Sequence, residues 1–385
     1  MSTDIMRQPD PERRERLRRL AILALKIILP LVLGTGVGVQ VAPERVREVE
    51  VPAPAPVSPR AEEFEYVPTQ GWVRDDDAIR ANLDPARTLH FDATPAGRAA
   101  LGDDDVYLWR AVRRAARLPE SAYPNVNQQS VGCCVGCGWK HACDVVQATA
   151  IAQGAAFEWK PVSAEVIYAG SRVRVGKGQI SGDGSVGAWA AQWCRDFGVV
   201  PMERHAPADL TAFSPARARQ WGQRGVGVPD QLEALAKAHP VKQTALVRSA
   251  ADVKRALAQG YPVAVCSDQG FTMSRDEQGF ARPQGNWAHC MSFIAWRGGT
   301  RPGAFCLNSW GDAAHTGPVW PPDAPAAGFW VDAAVVDRMA RQGDSFALSD
   351  VQGFPARRVP IDWFVSRAPG GRDGAGRPAL GALAW

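Results

Sequence analysis

A chain of 385 residues can hold two average domains, or one large domain with appendages. Its formal charge of +4 is small for that length, and its Arg residues are scattered rather than grouped in stripes, which removes nucleic acid from the expected partners. The composition is otherwise that of a globular protein, with an excess of Gly and Pro concentrated toward the two ends.

In chain order, Arg7, Arg13, Arg14, Arg16, Arg18 and Arg19 precede a largely apolar run over residues 20–42. About 20 apolar residues suffice for a helix to cross a bilayer. Lys26 interrupts the run near its Arg-rich end, where a long side chain can snorkel to the headgroups. The run is longer than a usual signal core, and Pro43 follows its one small-residue site, so an uncleaved signal anchor is expected over a cleaved signal peptide. Only Arg45 and Arg47 follow soon after, so the positive excess keeps residues 1–19 in the cytoplasm and places the remainder outside, in the periplasm or at the cell surface. Alternating Pro from Val51 to Pro59 favours an extended polyproline stalk. Residues 43–102 are read as this stalk and a polar spacer, with an acidic cluster at Asp75, Asp76 and Asp77.

A globular domain is expected over 103–354. A helix is expected over 106–112, and a second from Cys134 through Gln153, where Trp139, Cys143, Val146 and Ala150 recur at helical spacing before Gly154. A third runs from Ser185 to Phe197 with Ser185 as its cap, a fourth covers 230–238 and a fifth 251–258. Strands come later, over 262–266, 289–295, 304–308, 328–331 and 346–351. Helices first and strands afterwards indicate an α+β fold with a helical half facing a β half. A Gly/Pro/Arg-rich tail occupies 355–385, with an apolar stretch at 361–365.

Three residues sit in settings that suit one chemistry. Cys134 lies where a Gly-rich loop turns into a helix, and a helix start favours thiolate through its dipole and unpaired N–H groups. A neighbouring imidazolium favours thiolate further, toward pKa values of roughly 3.5–7.5 rather than about 8.5. His289 and Asn308 follow in the order that a nucleophile, a base and an orienting residue require. Gln128, six positions before Cys134, can donate a side-chain N–H to an oxyanion, an interaction commonly worth about 3 kcal/mol in the transition state.

At these residues the chain resembles the papain-like cysteine peptidases. The stretch from Gln128 to Gly136 is similar to the nucleophile loop of their bacterial and phage branch, 286–293 to the strand carrying the base, and Asn308-Ser309-Trp310-Gly311 to the family's Asn-Ser-Trp-Gly motif. About 155 residues separate Cys134 from His289, close to the roughly 130–150 typical of the family. The resemblance covers about 124–351 and implies a two-lobed fold with the site in the cleft. It implies that Cys134 attacks the carbonyl, His289 carries the proton, Asn308 orients His289 and Gln128 completes the oxyanion hole. Trp310 would shield the His289–Asn308 hydrogen bond from water and border the substrate. Protein or peptide substrates are implied, and neither a metal nor an organic cofactor is needed.

The chain departs from the pattern at Val135, where plant and animal members carry an aromatic residue, and at Cys133, where a small polar residue is usual. The Gln-to-Cys spacing selects Cys134 over its neighbours. A metal site over Cys133, Cys134, Cys137 and Cys143 lacks the second Cys-x-x-Cys pair that structural zinc usually needs. Cys290 and Cys306 are expected as small core residues, His141 as a surface or core residue and His315 as a loop residue. The competing functions are an inactive papain-like binding or assembly module and a Cys-His cell-wall amidase.

Overall fold

The computed structural model describes residues 71–82, 89–100, 102, 104–239, 241–357 and 359. The expected basic N-terminus, membrane span, Pro-rich stalk and 361–365 stretch lie outside the described residues. Among the described residues no helix is long and apolar enough to cross a membrane.

The helices are α1 (Asp76–Asn82), α2 (Pro95–Arg98), α3 (Trp109–Ala115), α4 (Cys134–Ala152), α5 (Ala164–Ala169), α6 (Gly187–Asp196), α7 (Pro215–Trp221), α8 (Asp230–Ala236), α9 (Ala250–Ala258) and α10 (Ala333–Ala340). The strands are β1 (Leu89–His90), β2 (Val106–Tyr107), β3 (Arg204–His205), β4 (Ala208–Asp209), β5 (Gln243–Leu246), β6 (Val263–Arg275), β7 (Ala281–Arg297), β8 (Gly303–Leu307), β9 (Gly328–Asp332) and β10 (Phe346–Ser349). One sheet runs in the order β1-β5-β10-β6-β7-β8-β9, with β2 added to β7, and β3 and β4 form a separate ribbon. Among the described strands only β1 and β5 pair in parallel, and the other strand pairs are antiparallel.

Two large apolar clusters match the expected division into halves. One joins β6 to β9 with α3, α9 and α10. The other joins α4, α5, α6 and α8 with the inner ends of β5, β6, β7 and β10. Helix α4 has almost no exposed face, which explains why its apolar residues are not confined to one stripe. Even its ion pair, Lys140 with Asp144, is buried, and the Asp144 carboxylate also accepts the Val162 N–H at 2.9 Å.

The helix α4 backbone sits close to its neighbours because two positions carry no side chain. A Cβ on Gly138 would lie 2.9 Å from Cys290 Sγ and 3.0 Å from the Met291 carbonyl on β7. A Cβ on Gly136 would lie 2.5 Å from the Ala164 carbonyl at the start of α5. Ser292 Oγ donates to the Gly138 carbonyl across the same contact.

Several local expectations are corrected. The 106–112 stretch is not one helix: Val106 and Tyr107 extend the sheet opposite Trp296 and Ala295, and the helix starts at Trp109. Ser185 does not cap α6. Its hydroxyl pairs with Ser171, and the Asp344 carboxylate accepts the Gly187 N–H at 2.8 Å instead. Strands β6 and β7 are far longer than their apolar cores, because their outer halves are largely exposed or half-buried and carry polar residues. Asp276 closes that hairpin by accepting from the Gln278 and Phe280 N–H groups, with Gly279 at φ +81° completing the turn. Part of the expected spacer is also built into the fold: β1 pairs with β5, and Phe91 is fully buried against Phe354.

Candidate active site

Cys134 is the first residue of α4, and no side chain caps that helix start. Its Sγ accepts the backbone N–H of Cys290 at 3.4 Å, which sets the thiol beside the residue that follows His289. The loop before it is held from the helical half, where the Asp183 carboxylate accepts the Gly132 N–H at 2.8 Å.

His289 projects from β7 opposite Ser267 and is fully buried. Its Nε2 lies 2.8 Å from Asn308 Oδ1. The Ser309 N–H, which can only donate, also points at Asn308 Oδ1, at 2.7 Å. That fixes the carboxamide with its oxygen toward His289, so His289 must carry its proton on Nε2 and donate it. The other ring nitrogen, Nδ1, then holds a lone pair and has no hydrogen-bond partner. Trp310, 4 % exposed, covers this arrangement with its ring 4.5 Å from the His289 ring and 30° from parallel, and Trp287 meets its edge.

Gln128 joins the nucleophile loop to the Asn308 loop. Its backbone N–H donates to the Ser309 carbonyl at 2.8 Å, and its Oε1 accepts from Ser309 Oγ at 2.6 Å. The side-chain nitrogen donates to the Val131 carbonyl at 3.0 Å, so the amide is turned toward the Cys134 helix start. Asn127 bridges to Trp310 beside it, and Gly311 at φ +84° lets the chain turn away where a Cβ would approach Asn127.

One segment was not legible as part of the site. Gly71 and Trp72 each donate a backbone N–H to the Ala288 carbonyl at 3.0 Å, immediately before His289. Gly71 O accepts from the Ser185 N–H and Val73 N–H donates to Ser185 O, both at 2.9 Å. A Cβ on Gly71 would sit 2.1 Å from the Gly132 carbonyl, two residues before Cys134. Residues 71–73 therefore form a strap between the nucleophile loop, the His289 strand and the start of α6. The strap is pinned by the Trp72 indole N–H, which donates to the buried Asp344 carboxylate at 2.7 Å. The sequence offered only a polar stretch here, without periodicity.

Burial dominates the electrostatics. Against the thiolate preference expected at the helix start, loss of solvent, with Cys290 nearby, pushes the Cys134 thiol well above its ordinary range, and the Cys290 N–H only partly offsets this. Burial likewise pulls His289 down to about 4 against the opposing hydrogen bond to Asn308. The closed site holds a neutral thiol and a neutral imidazole. Burial raises Asp344 to about 7, against the Trp72 and Gly187 hydrogen bonds that favour its anion.

The remaining candidates separate clearly. Cys133 and Cys137 face one another at 3.7 Å between sulfurs. Cys290 and Cys306 are core residues, as expected, and His141 is buried within α4. His315 is more than a loop residue, since its Nε2 lies 3.0 Å from Asn308 Nδ2. Among the described residues no group of three or more His, Cys, Asp or Glu could hold a metal ion.

No family model and no curated protein matches this chain. Among solved structures it is similar to xylellain, a cysteine protease from Xylella fastidiosa, at 15% identity and a TM-score of 0.48, over 74% of this chain and 97% of that one. It is similar to digestive procathepsin L 3 of Tenebrio molitor larval midgut at 13% identity and 0.46, over 73% and 76%. It is also similar to the bromelain protease from Ananas comosus, at 11% and 0.41, over 65% and 99%. These similar structures are cysteine proteases of the papain family. At such identities and TM-scores, the function has to be read from the site itself.

Proposed function

We propose that this chain is a papain-like cysteine endopeptidase. The observation that carries the reading is the fixed tautomer of His289, with Nε2–H on Asn308 Oδ1 and an unpartnered Nδ1 beside the helix that presents Cys134. In the reaction, Cys134 Sγ attacks the peptide carbonyl carbon while its proton passes to His289 Nδ1. The oxyanion is met by the α4 start and the Gln128 amide. His289 then returns the proton to the leaving amine as the C–N bond breaks. Water, deprotonated by the same nitrogen, releases the acyl group as an acid and restores the thiol.

Cys134 has no exposed surface, so substrate entry requires a local opening, which we assign to residues 71–73 because they bind the Ala288 carbonyl beside His289 and press on Gly132 of the nucleophile loop. Water admitted by that movement lowers the thiol toward the reactive range, because desolvation is what raises it. The strap thus keeps the thiol neutral as well as covered.

The test is labelling of the folded, reduced protein with a peptidyl epoxide, followed by mapping of the modified residue. Modification at Cys134 that disappears in His289→Ala is expected. Absence of both labelling and peptide hydrolysis, with the strap loosened by Trp72→Ala, would point to a binding module, and release of muropeptide fragments from cell wall to an amidase.

Residues 20–42 anchor this domain on the extracytoplasmic side in the same reading, supported by the Arg excess before the run. Added protease should then digest the domain in cells whose outer layers are opened. Protection of the domain there would overturn the topology.

A further inference from the structure

Asn308 also meets a residue outside the motif that contains it. Its Oδ1 is committed to His289 and to the Ser309 N–H, and its Nδ2 points at His315 Nε2 at 3.0 Å. An amide nitrogen donates, so His315 Nε2 must be the acceptor and the His315 proton must sit on Nδ1.

The His315 ring is 4 % exposed and rests against Phe329 at 4.7 Å between centroids, with Trp310 on another side at 6.4 Å. The loop that carries it is pinned to β6 from both sides. Thr316 N–H donates to the Met273 carbonyl at 2.9 Å, and the Arg275 N–H donates to the Thr316 carbonyl at 3.0 Å. The buried Arg275 guanidinium then donates to four carbonyls: Ala326 and Gly328 at 2.8 Å, and His315 and Gly317 at 3.1 Å. Burying an arginine to satisfy four carbonyls is an expensive way to hold a surface turn, and it makes sense if the turn must present one ring at a fixed height.

We propose that His315 is a positioning residue for the Cys134–His289 pair, acting through the flip state of Asn308; the proposal rests on the peptidase reading of that pair. Without an acceptor at His315 Nε2, the Ser309 N–H alone is left to hold the Asn308 carboxamide with its oxygen toward His289, and the flipped state becomes more accessible. A flipped amide would turn N–H groups toward His289 Nε2 and Ser309 N–H, favouring a proton on His289 Nδ1. That tautomer cannot accept the Cys134 proton. Packing alone does not account for the arrangement, since a phenyl ring would fill the same space between Phe329 and Trp310.

The acceptor role requires a neutral ring. Burial, reinforced by Arg275, holds His315 down at about 3, while the Met273 carbonyl opposes the shift and His289 is the other titratable group facing it. Both rings are therefore held neutral near neutral pH, where the acceptor is in place.

The test uses the full chain with ring-15N-labelled histidine, the variants His315→Phe and His315→Gln, and a fluorogenic peptide amide that the wild type cleaves. Phe keeps the packing and removes the acceptor, while Gln places an amide oxygen near the Nε2 position. In His315→Phe, kcat is expected to fall about tenfold or more with KM within about twofold, as loss of a correctly protonated base implies. His315→Gln should recover most of that loss. The ring spectra should show Nε2–H for His289 and Nδ1–H for His315 in the wild type, and loss of the single His289 tautomer in His315→Phe.

A wild-type spectrum with His315 protonated on Nε2 overturns the proposal without any variant, which covers a Phe variant that does not fold. A folded His315→Phe protein with unchanged kcat and an unchanged His289 tautomer overturns it as well. Failure of the peptidase reading looks different: no peptide is cleaved by the wild type, while the ring spectra still report whether His315 sets the tautomer.

Discussion

Ser309 Oγ donates to Gln128 Oε1 at 2.6 Å, tying the residue next to the orienting Asn308 to the amide that faces the nucleophile loop. The two loops are 181 residues apart in sequence, and the contact is fully buried. Ser309→Ala should remove the contact on Gln128 Oε1 while the amide nitrogen keeps the Val131 carbonyl, loosening the amide and lowering kcat by about tenfold while KM stays within about twofold. Gln128→Ala should cost more, about 100-fold, and the double variant should be no worse than Gln128→Ala alone, because both changes act on one donor. Steady-state kinetics on one peptide amide for all four proteins checks this, and additive losses would show that Ser309 acts elsewhere.

Trp72 is the anchor of the strap, so Trp72→Ala should expose the thiol. The rate of Cys134 modification by iodoacetamide at pH 7 is expected to rise at least about tenfold, with peptide hydrolysis rising in parallel, because local opening no longer requires breaking a buried indole–carboxylate hydrogen bond. Mass spectrometry of the modified peptide separates Cys134 from Cys133 and Cys137. An unchanged rate would mean that the strap opens freely already.

His141 is buried in α4 with neither ring nitrogen hydrogen-bonded, and burial holds it well below its ordinary 6.5. A buried polar group without partners costs about 1–3 kcal/mol. His141→Leu should therefore stabilise the fold by about 1–2 kcal/mol at pH 7, with a larger gain at pH 5, where the unfolded wild type takes up a proton that the fold refuses. Denaturant melts at the two pH values measure both effects.

Opposing titrations should flatten the acid side of the stability curve. His289, at about 4, and His315, at about 3, both start from 6.5, so the unfolded chain binds more protons than the fold as pH drops below 6.5, and stability falls in that direction. Asp344, at about 7 from 3.8, acts the other way: between those values the fold keeps a proton that the unfolded chain has released, so its contribution is lost as pH rises. Asp344→Asn removes only the second effect. Its stability should rise more steeply than the wild type's between pH 4 and 7, by about 1.4 kcal/mol per pH unit. Parallel curves for the two proteins would show that Asp344 titrates normally.

The parts of the site legible in the sequence are those whose chemistry is local. Cys134 stands at a loop-to-helix junction, and Asn308 sits in a motif with His289 upstream, so each could be named from its neighbours. His315 could not, because it lies seven residues past Asn308 in a turn with no periodicity, and its role depends on a guanidinium from β6. The α6 cap was misassigned for a similar reason: Ser185 has the right chemistry at the right place, but a carboxylate 157 residues away from Gly187 reaches the same N–H group. The long β6–β7 hairpin was underestimated because its outer half is largely exposed or half-buried and its register shifts, so no apolar run marks the strands there.

Gly136 and Gly138 bear on how such a site can change over time. They seat α4 against α5 on one side and β7 on the other, so the offset between thiol and imidazole is set by buried backbone contacts. Side chains on the front walls can then be exchanged without disturbing the reacting atoms. A single methyl group at Gly138 would do the reverse, altering no catalytic residue yet prising the helix that carries Cys134 from the strand that carries His289.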